Sequence, residues 1–282
     1  VNGSASPLPK WPAALLLGEG DVRAPAATMN ADLDPCAVAT PAPVRLNPAL
    51  DPELIARVFR SSGRVHVPDF FDARTAALIH RSLAEETRWQ LVLHDAGGHR
   101  ELPVPALSSL PEKERRDWLA RVHRAAERGF SYCYSTFRLF ENYVNGRHRD
   151  SYLMRVLEFL NAPVFLDFAR RLTGDARIGF VDGQATMYRA GDFLTRHDDA
   201  VEGRNRVAAY VLGFTREWMT DWGGLLAFPD RQGHLAEAYV PTFNSLNLFR
   251  VPMLHAVTQV ASFAAAPRYS ITGWLRTLPD SG

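Results

Sequence analysis

From Gly174 onward the chain is a succession of short apolar stretches separated by Gly, Pro, Asp and Asn, and this punctuation restricts the architecture more than any other feature. The stretches fall at 178–188, 206–214, 224–228, 236–240, 245–250, 255–260 and 268–276. Several short strands at such spacing predict a barrel or a double-sheet jelly roll, with alternate side chains facing inward and outward.

The preceding half reads differently. Asp51-Pro52-Glu53 offers an N-cap acceptor and a first-turn proline ahead of Leu54, Ile55, Val58 and Phe59, which predicts a helix stopped by Gly63. Arg64 to Val67 reads as a strand, and Asp72 caps a second helix through Ala76, Ile79 and Leu83. Helical patterns follow at 111–128 and 151–173, with an aromatic strand at 130–140 between them. The helices are expected to support one sheet of the barrel, because strands interrupt them. The expected fold class is therefore mainly β with flanking helices, a jelly-roll or cupin-like barrel over about 175–277 with N-terminal helical support. Residues 1–45 carry seven prolines among Ala, Ser and Gly, and read as a flexible arm ahead of a single domain at 46–282.

Composition narrows the function. Hydrophobic residues are 46% and charged residues 22% of the 282, as in a globular protein with a full core. Lys and Arg total 32 against 31 Asp and Glu, so no global basic field points to nucleic acid. Cys36 and Cys133 are too few for a disulfide framework or a cysteine zinc site, and read as incidental thiols. The apolar run Ala13 to Leu17 is too short for a secretory signal or a membrane span. A cytoplasmic protein is expected.

The segment that carries chemistry is Tyr188 to Asp199. His197 and Asp199 are one residue apart, so on an extended chain both leave the same face and can meet one ion. His255, at the start of a later apolar-alternating segment, can supply a second imidazole. Two histidines and a carboxylate on one face of an octahedral ion suit iron(II), leaving positions for a bidentate co-substrate and dioxygen. Arg268 opens another apolar strand, where a guanidinium is costly unless it meets an anion, such as a carboxylate gripped in bidentate fashion. The competing reading is a salt bridge to a core acid. Ser270 shares the Arg268 face and can bond the same carboxylate.

From Tyr188 to Arg276 the chain resembles the double-stranded β-helix core of prolyl-hydroxylase-like 2-oxoglutarate/Fe(II)-dependent dioxygenases. The matching elements are Tyr188, Gly191 and Phe193 before His197-Asp198-Asp199, then Arg206, Gly223-Gly224-Leu225-Leu226-Ala227-Phe228-Pro229, Asn244 to Phe249, His255, and Arg268 to Trp274. The likeness is greatest to bacterial relatives of the ribosomal-protein prolyl hydroxylases, although the sequence ends soon after Arg276, where the two-domain members carry a second barrel. The resemblance implies that His197, Asp199 and His255 bind iron, and that Arg268 takes the distal carboxylate of 2-oxoglutarate with Tyr188 beside it. It also implies dioxygen as oxidant, ascorbate as a supporting reductant, and hydroxylation with release of succinate and carbon dioxide. The Asp199 carboxylate fills the place that a halide takes in related halogenases. One departure stands out: where many relatives carry a second aromatic hydroxyl, this chain has Gly213, with Tyr210 three residues earlier.

Trp274 and Tyr210 are candidates for the substrate side of the pocket, although a barrel tryptophan is as often plain core. The expected substrate is a prolyl segment of a peptide or protein, or a small amino-acid-like molecule. Rival readings are a small-molecule biosynthetic hydroxylase, a non-catalytic cupin-like binding protein, and a nucleic-acid demethylase, which the near-neutral charge disfavours. His94 and His99 are expected in a loop, His234 in a surface turn, and the charged helix near 111–128 presents a solvated face.

Overall fold

A computed structural model describes residues 42–104 and 109–278. Most of the expected arm, with Cys36, lies outside the described residues. At its end Arg45 and Leu46 are already tied to the fold: the Asp72 N–H donates to the Arg45 carbonyl, and Leu46 bridges to Phe71.

Helix starts and stops follow local chemistry. In α1 (Pro52–Ser62) the Asp51 side chain accepts from the Glu53 and Leu54 N–H groups, and Gly63 ends the helix in the left-handed region at φ 74°. Strand β1 (Arg64–Val67) follows, then α2 (Ala73–Arg81), where the Asp72 side chain accepts from the Thr75 N–H. The segment with His94 and His99 is not a loop: β2 (Gln90–Asp95) and β3 (Gly98–Pro103) form a hairpin with those histidines opposite each other. Helix α3 (Glu112–Ala126) buries only Val122 and carries surface ion pairs such as Lys113–Asp117, in keeping with a solvated face. The 130–140 segment forms strand β4 (Tyr132–Phe137) and then turns into helix α4 (Leu139–Val144). The helical stretch at 151–173 is two helices, α5 (Tyr152–Leu160) and α6 (Pro163–Thr173). Proline lacks the N–H needed inside a helix, so Pro163 opens the second one.

The remaining strands are β5 (Ile178–Val181), β6 (Gln184–Tyr188), β7 (Phe193–His197), β8 (Arg206–Phe214), β9 (Leu226–Pro229), β10 (Leu235–Tyr239), β11 (Phe243–Arg250), β12 (His255–Val257) and β13 (Arg268–Thr277). They pair antiparallel in the order β1-β11-β8-β13-β6-β4-β7-β12-β9-β10, with β5 on β13 and the β2–β3 hairpin on β4. This is a barrel-like, double-stranded β-helix sheet supported by helices. Strand β4 joins the two halves by pairing with both β6 and β7.

Alternation along the strands divides the interior. Ile271 and Leu275 of β13, with Ala208 and Leu212 of β8, pack with helix residues such as Phe59, Ile79, Leu157 and Phe168. Each such fully buried large side chain contributes about 2 kcal/mol. Arg268, Ser270, Thr272 and Trp274 of β13, with Ala209 and Val211 of β8, line the cavity on the opposite face.

The single strand expected at 178–188 is broken at Asp182-Gly183, where β13 changes partner from β6 to β5. Backbones approach closely there. A Cβ on Gly273 would lie 2.2 Å from the Asp182 carbonyl oxygen and 2.8 Å from Gly183 Cα. Gly273→Ala is therefore expected to cost about 3 kcal/mol in urea unfolding, because backbone rather than a movable side chain must give way.

Candidate metal and co-substrate site

His197 ends β7 and His255 opens β12, and the two are paired across the antiparallel ladder, which brings their ring centroids to 4.1 Å. Asp199 Oδ1 lies 3.4 Å from His197 Nε2, and Asp199 Oδ2 lies 3.4 Å from His255 Nε2. One ligand atom from each residue falls within 4.8 Å of the others. The convergence does not come from an extended His-Asp-Asp run. Asp199 adopts a left-handed backbone at φ 64°, so a turn, not strand alternation, brings its carboxylate back to the imidazoles.

Each histidine is oriented by a carbonyl. His197 Nδ1 donates to Thr195 O at 3.0 Å and His255 Nδ1 to Met253 O at 2.8 Å. A carbonyl only accepts, so both Nδ1 atoms carry the proton and both Nε2 lone pairs are free for a cation. Burial, then the neighbouring His197, push His255 down to about 4, which keeps it neutral near pH 7. Burial pushes the Asp199 carboxyl up, but contact with the histidines outweighs this and holds it below the usual carboxylate range. Two imidazoles and one carboxylate fit iron(II) with coordination positions left open.

The triad opens into a cavity of about 410 Å³. Arg268 lies on its wall, 4% exposed, with its Nη1 buried and without a hydrogen-bond partner among the described residues. Its guanidinium stands over the Tyr188 ring, 5.0 Å from the centroid. Among the described residues no acid pairs with Arg268, so the competing salt-bridge reading finds no partner. An unpaired buried cation of this kind is costly, and an anionic ligand would relieve it. The Ser270 hydroxyl is bonded to Thr186 Oγ1 at 2.8 Å on the same wall.

Trp274 also lines the cavity, with the Arg206 guanidinium 3.5 Å above its ring and its Nε1 buried without a hydrogen-bond partner among the described residues. Tyr210 borders the cavity, but its ring packs in the core beneath the helices and its hydroxyl donates to the Asp182 carbonyl at 2.8 Å. Gly213 has no space for a side chain: a Cβ would lie 2.4 Å from Thr242 O. Asp198 accepts from the Ala200 N–H and is exposed, as a turn residue should be, and His234 is likewise exposed.

The aromatic residues of β4 could be assigned from sequence neither to a groove nor to the core. Tyr132 and Tyr134 line the cavity, with Phe130 preceding them at its rim, whereas Phe137 belongs to the core. Tyr134 stacks on Tyr188 at 5.0 Å, and burial pushes its hydroxyl up to about 12, so it remains a donor. Arg206 is the cavity residue that sequence reasoning undervalued. It was visible as an arginine opening an apolar strand, the same signal that singled out Arg268.

In the turn that enters β7, burial pushes Asp192 up to about 7, against hydrogen bonding from the Arg189 N–H. The folded state then holds a proton that the unfolded chain releases near pH 4, so folding stability falls as pH rises from about 4 to about 7. Asp192→Asn is expected to remove this loss. Its melting temperature relative to the native protein should rise between pH 5 and pH 7.5.

Among the described residues no helix is long and apolar enough to cross a membrane. Residues 183–276 match the family described as the 2OG-Fe(II) oxygenase superfamily. An alignment 111 residues long, covering 35% of this chain and 20% of the relative, is 30% identical to the prolyl 3-hydroxylase sudestada1 of Drosophila melanogaster. A prolyl-4-hydroxylase structure from Pseudomonas putida aligns over 81% of this chain and 100% of its own, at 16% identity and TM-score 0.49. A Trichoplax adhaerens prolyl hydroxylase, solved with a peptide fragment of the hypoxia inducible factor oxygen degradation domain, aligns over 80% of this chain and 89% of its own, at 15% identity and TM-score 0.49. The superfamily implies Fe(II) and 2-oxoglutarate, and the barrel, the histidine–carboxylate cluster and the family match over 183–276 together support a 2-oxoglutarate-dependent oxygenase.

Proposed function

We propose that the enzyme hydroxylates an unactivated C–H bond of a prolyl or amino-acid-type substrate, with His197, Asp199 and His255 holding Fe(II) and Arg268 holding the distal carboxylate of 2-oxoglutarate. The observation that carries this reading is the buried, unpartnered Arg268 Nη1 on the wall of the cavity that contains the triad. When bound, iron and 2-oxoglutarate supply the oxidant, with succinate and carbon dioxide released and ascorbate as a supporting reductant.

The chain's own contribution is orientation and exclusion of water. Thr195 and Met253 fix the imidazoles, Arg268 and Tyr188 receive the far end of the co-substrate, and the Ser270–Thr186 hydroxyl pair lies on the same wall. Trp274, Tyr134 and Arg206 form the wall available to the substrate, with Tyr210 filling space behind it. Phe130 and Val201 on the rim are 46% and 51% exposed, which favours an extended prolyl peptide over a fully enclosed small molecule. A domain spanning 46–282 and a cytoplasmic setting belong to the same reading.

The test is succinate formation from 2-oxoglutarate under air with Fe(II) and ascorbate. Slow turnover without added substrate, at least about 100-fold lower in His197→Ala, is expected; prolyl peptides should then accelerate the native enzyme more than free amino acids do. Neither turnover nor binding of 2-oxoglutarate to the metal-loaded protein would leave the non-catalytic jelly roll as the better reading.

A further inference from the structure

We propose that Arg206 is a positioning residue for the metal-site carboxylate, held in place by Trp274 and Asp182; this rests on the triad being the metal site. Asp199 occupies a left-handed conformation that a non-glycine residue does not keep by its own preference. Arg206 Nη1 donates to the Asp199 carbonyl at 2.9 Å and lies 4.0 Å from Asp199 Oδ1. The turn is thereby fastened at the residue whose carboxylate must face the metal.

Arg206 is itself restrained. Its guanidinium carbon stands 3.5 Å above the centroid of the Trp274 ring, and the Trp274 backbone N–H donates to Asp182 Oδ1 at 2.8 Å. Asp182 Oδ2 accepts from Arg276 Nη1 at 3.2 Å, while Arg276 Nε donates to the Arg204 carbonyl at 2.8 Å, within the loop between β7 and β8. The Thr277 N–H donates to the Asn205 carbonyl at 3.1 Å. The end of β13 thus clamps this loop at 204 and 205, and Arg206 clamps it at 199. Asp182 is the carboxylate to which both Trp274 and Arg276 are attached, and its side chain is only 14% exposed. A clamp of this kind forms the ligand geometry before the metal arrives, and loss of such outer contacts typically lowers metal affinity 10–100-fold.

The experiment measures Mn(II) affinity of the full chain by calorimetry and by electron paramagnetic resonance of the bound ion. Arg206→Met keeps an apolar stem against Trp274 and removes the donors; Arg206→Lys keeps one donor; Asp182→Asn keeps an acceptor for the Trp274 backbone N–H. Arg206→Met is expected to weaken Mn(II) by about 10–100-fold, with 2-oxoglutarate affinity at saturating Mn(II) unchanged because Arg268 is untouched. Arg206→Lys should recover part of the loss, and Asp182→Asn should fall between it and the native protein. Native Mn(II) affinity in Arg206→Met overturns the proposal. So does a parallel loss of 2-oxoglutarate affinity with no recovery by lysine, since that describes a collapsed cavity. If Arg206→Met does not fold, native affinity in both Arg206→Lys and Asp182→Asn overturns it. No Mn(II) binding by the native protein would instead sink the proposed metal site itself.

Discussion

Replacing Arg268 with methionine is expected to abolish 2-oxoglutarate binding at ordinary concentrations while making the ligand-free protein more stable. The two effects have opposite signs for one reason. In the free protein the guanidinium is buried, its Nη1 has no partner among the described residues, and burial pulls its pKa below the ordinary arginine value, with Tyr188 opposing. Exchanging an uncompensated buried charge for an apolar side chain of similar length is worth about 1–4 kcal/mol. Removing one partner of a buried, hydrogen-bonded charge pair costs the complex about 2–5 kcal/mol, or roughly 30- to 5,000-fold in affinity. Calorimetry with Mn(II)-loaded protein reads the second effect and urea unfolding of the metal-free protein reads the first. A methionine variant that binds 2-oxoglutarate normally would remove Arg268 from the site, and a large loss of stability would mean that it serves the fold instead.

Asp199→Asn is the second large effect. The substitution keeps size and one acceptor but removes the one negative charge that the ligand set offers to balance a divalent cation. Because outer contacts alone are worth 10–100-fold, loss of the ligand charge is expected to weaken Mn(II) by more than about 100-fold. Turnover to succinate should fall by about 1,000-fold or more, equivalent to roughly 4 kcal/mol. The fold should persist, because Asp199 lies in a turn outside the ladder and the pairing of His197 with His255 does not depend on it. Far-ultraviolet dichroism and a melting curve check that point. Native-like metal affinity in this variant would exclude the carboxylate from the ligand set and with it the facial arrangement.

The way each strand and helix was legible explains which parts of the site were legible too. Asp51, Gly63 and Asp72 act within a few residues of themselves, so their caps could be read locally and are present. The inward set Arg268, Ser270, Thr272 and Trp274 follows from alternation along a single strand. Arg268 drew attention because a charge in an apolar strand must be satisfied somewhere. The 2.0-residue period could not show that 178–188 breaks at Asp182-Gly183, because the break is imposed where β13 changes partner. Nor could it place Tyr132 and Tyr134 on the cavity wall, since that depends on β4 pairing with both β6 and β7. The hairpin holding His94 and His99 was missed because its Gly97-Gly98 turn reads equally well as a loop.

By itself, then, the sequence determined the succession of strands, the helix caps, and which residues are candidates to bind a cation and a carboxylate. Those properties arise from interactions within a few residues and from alternation along one element. Only the tertiary structure decided that Asp199 reaches the histidines through a left-handed turn, that Tyr210 commits its hydroxyl to Asp182, and that Gly213 has no room for a side chain. Each of these depends on atoms brought close by segments far apart in the chain. A backbone at positive φ, or one where an added Cβ would lie 2.4 Å from a neighbouring carbonyl oxygen, is set by what surrounds it, not by the residue's own preference.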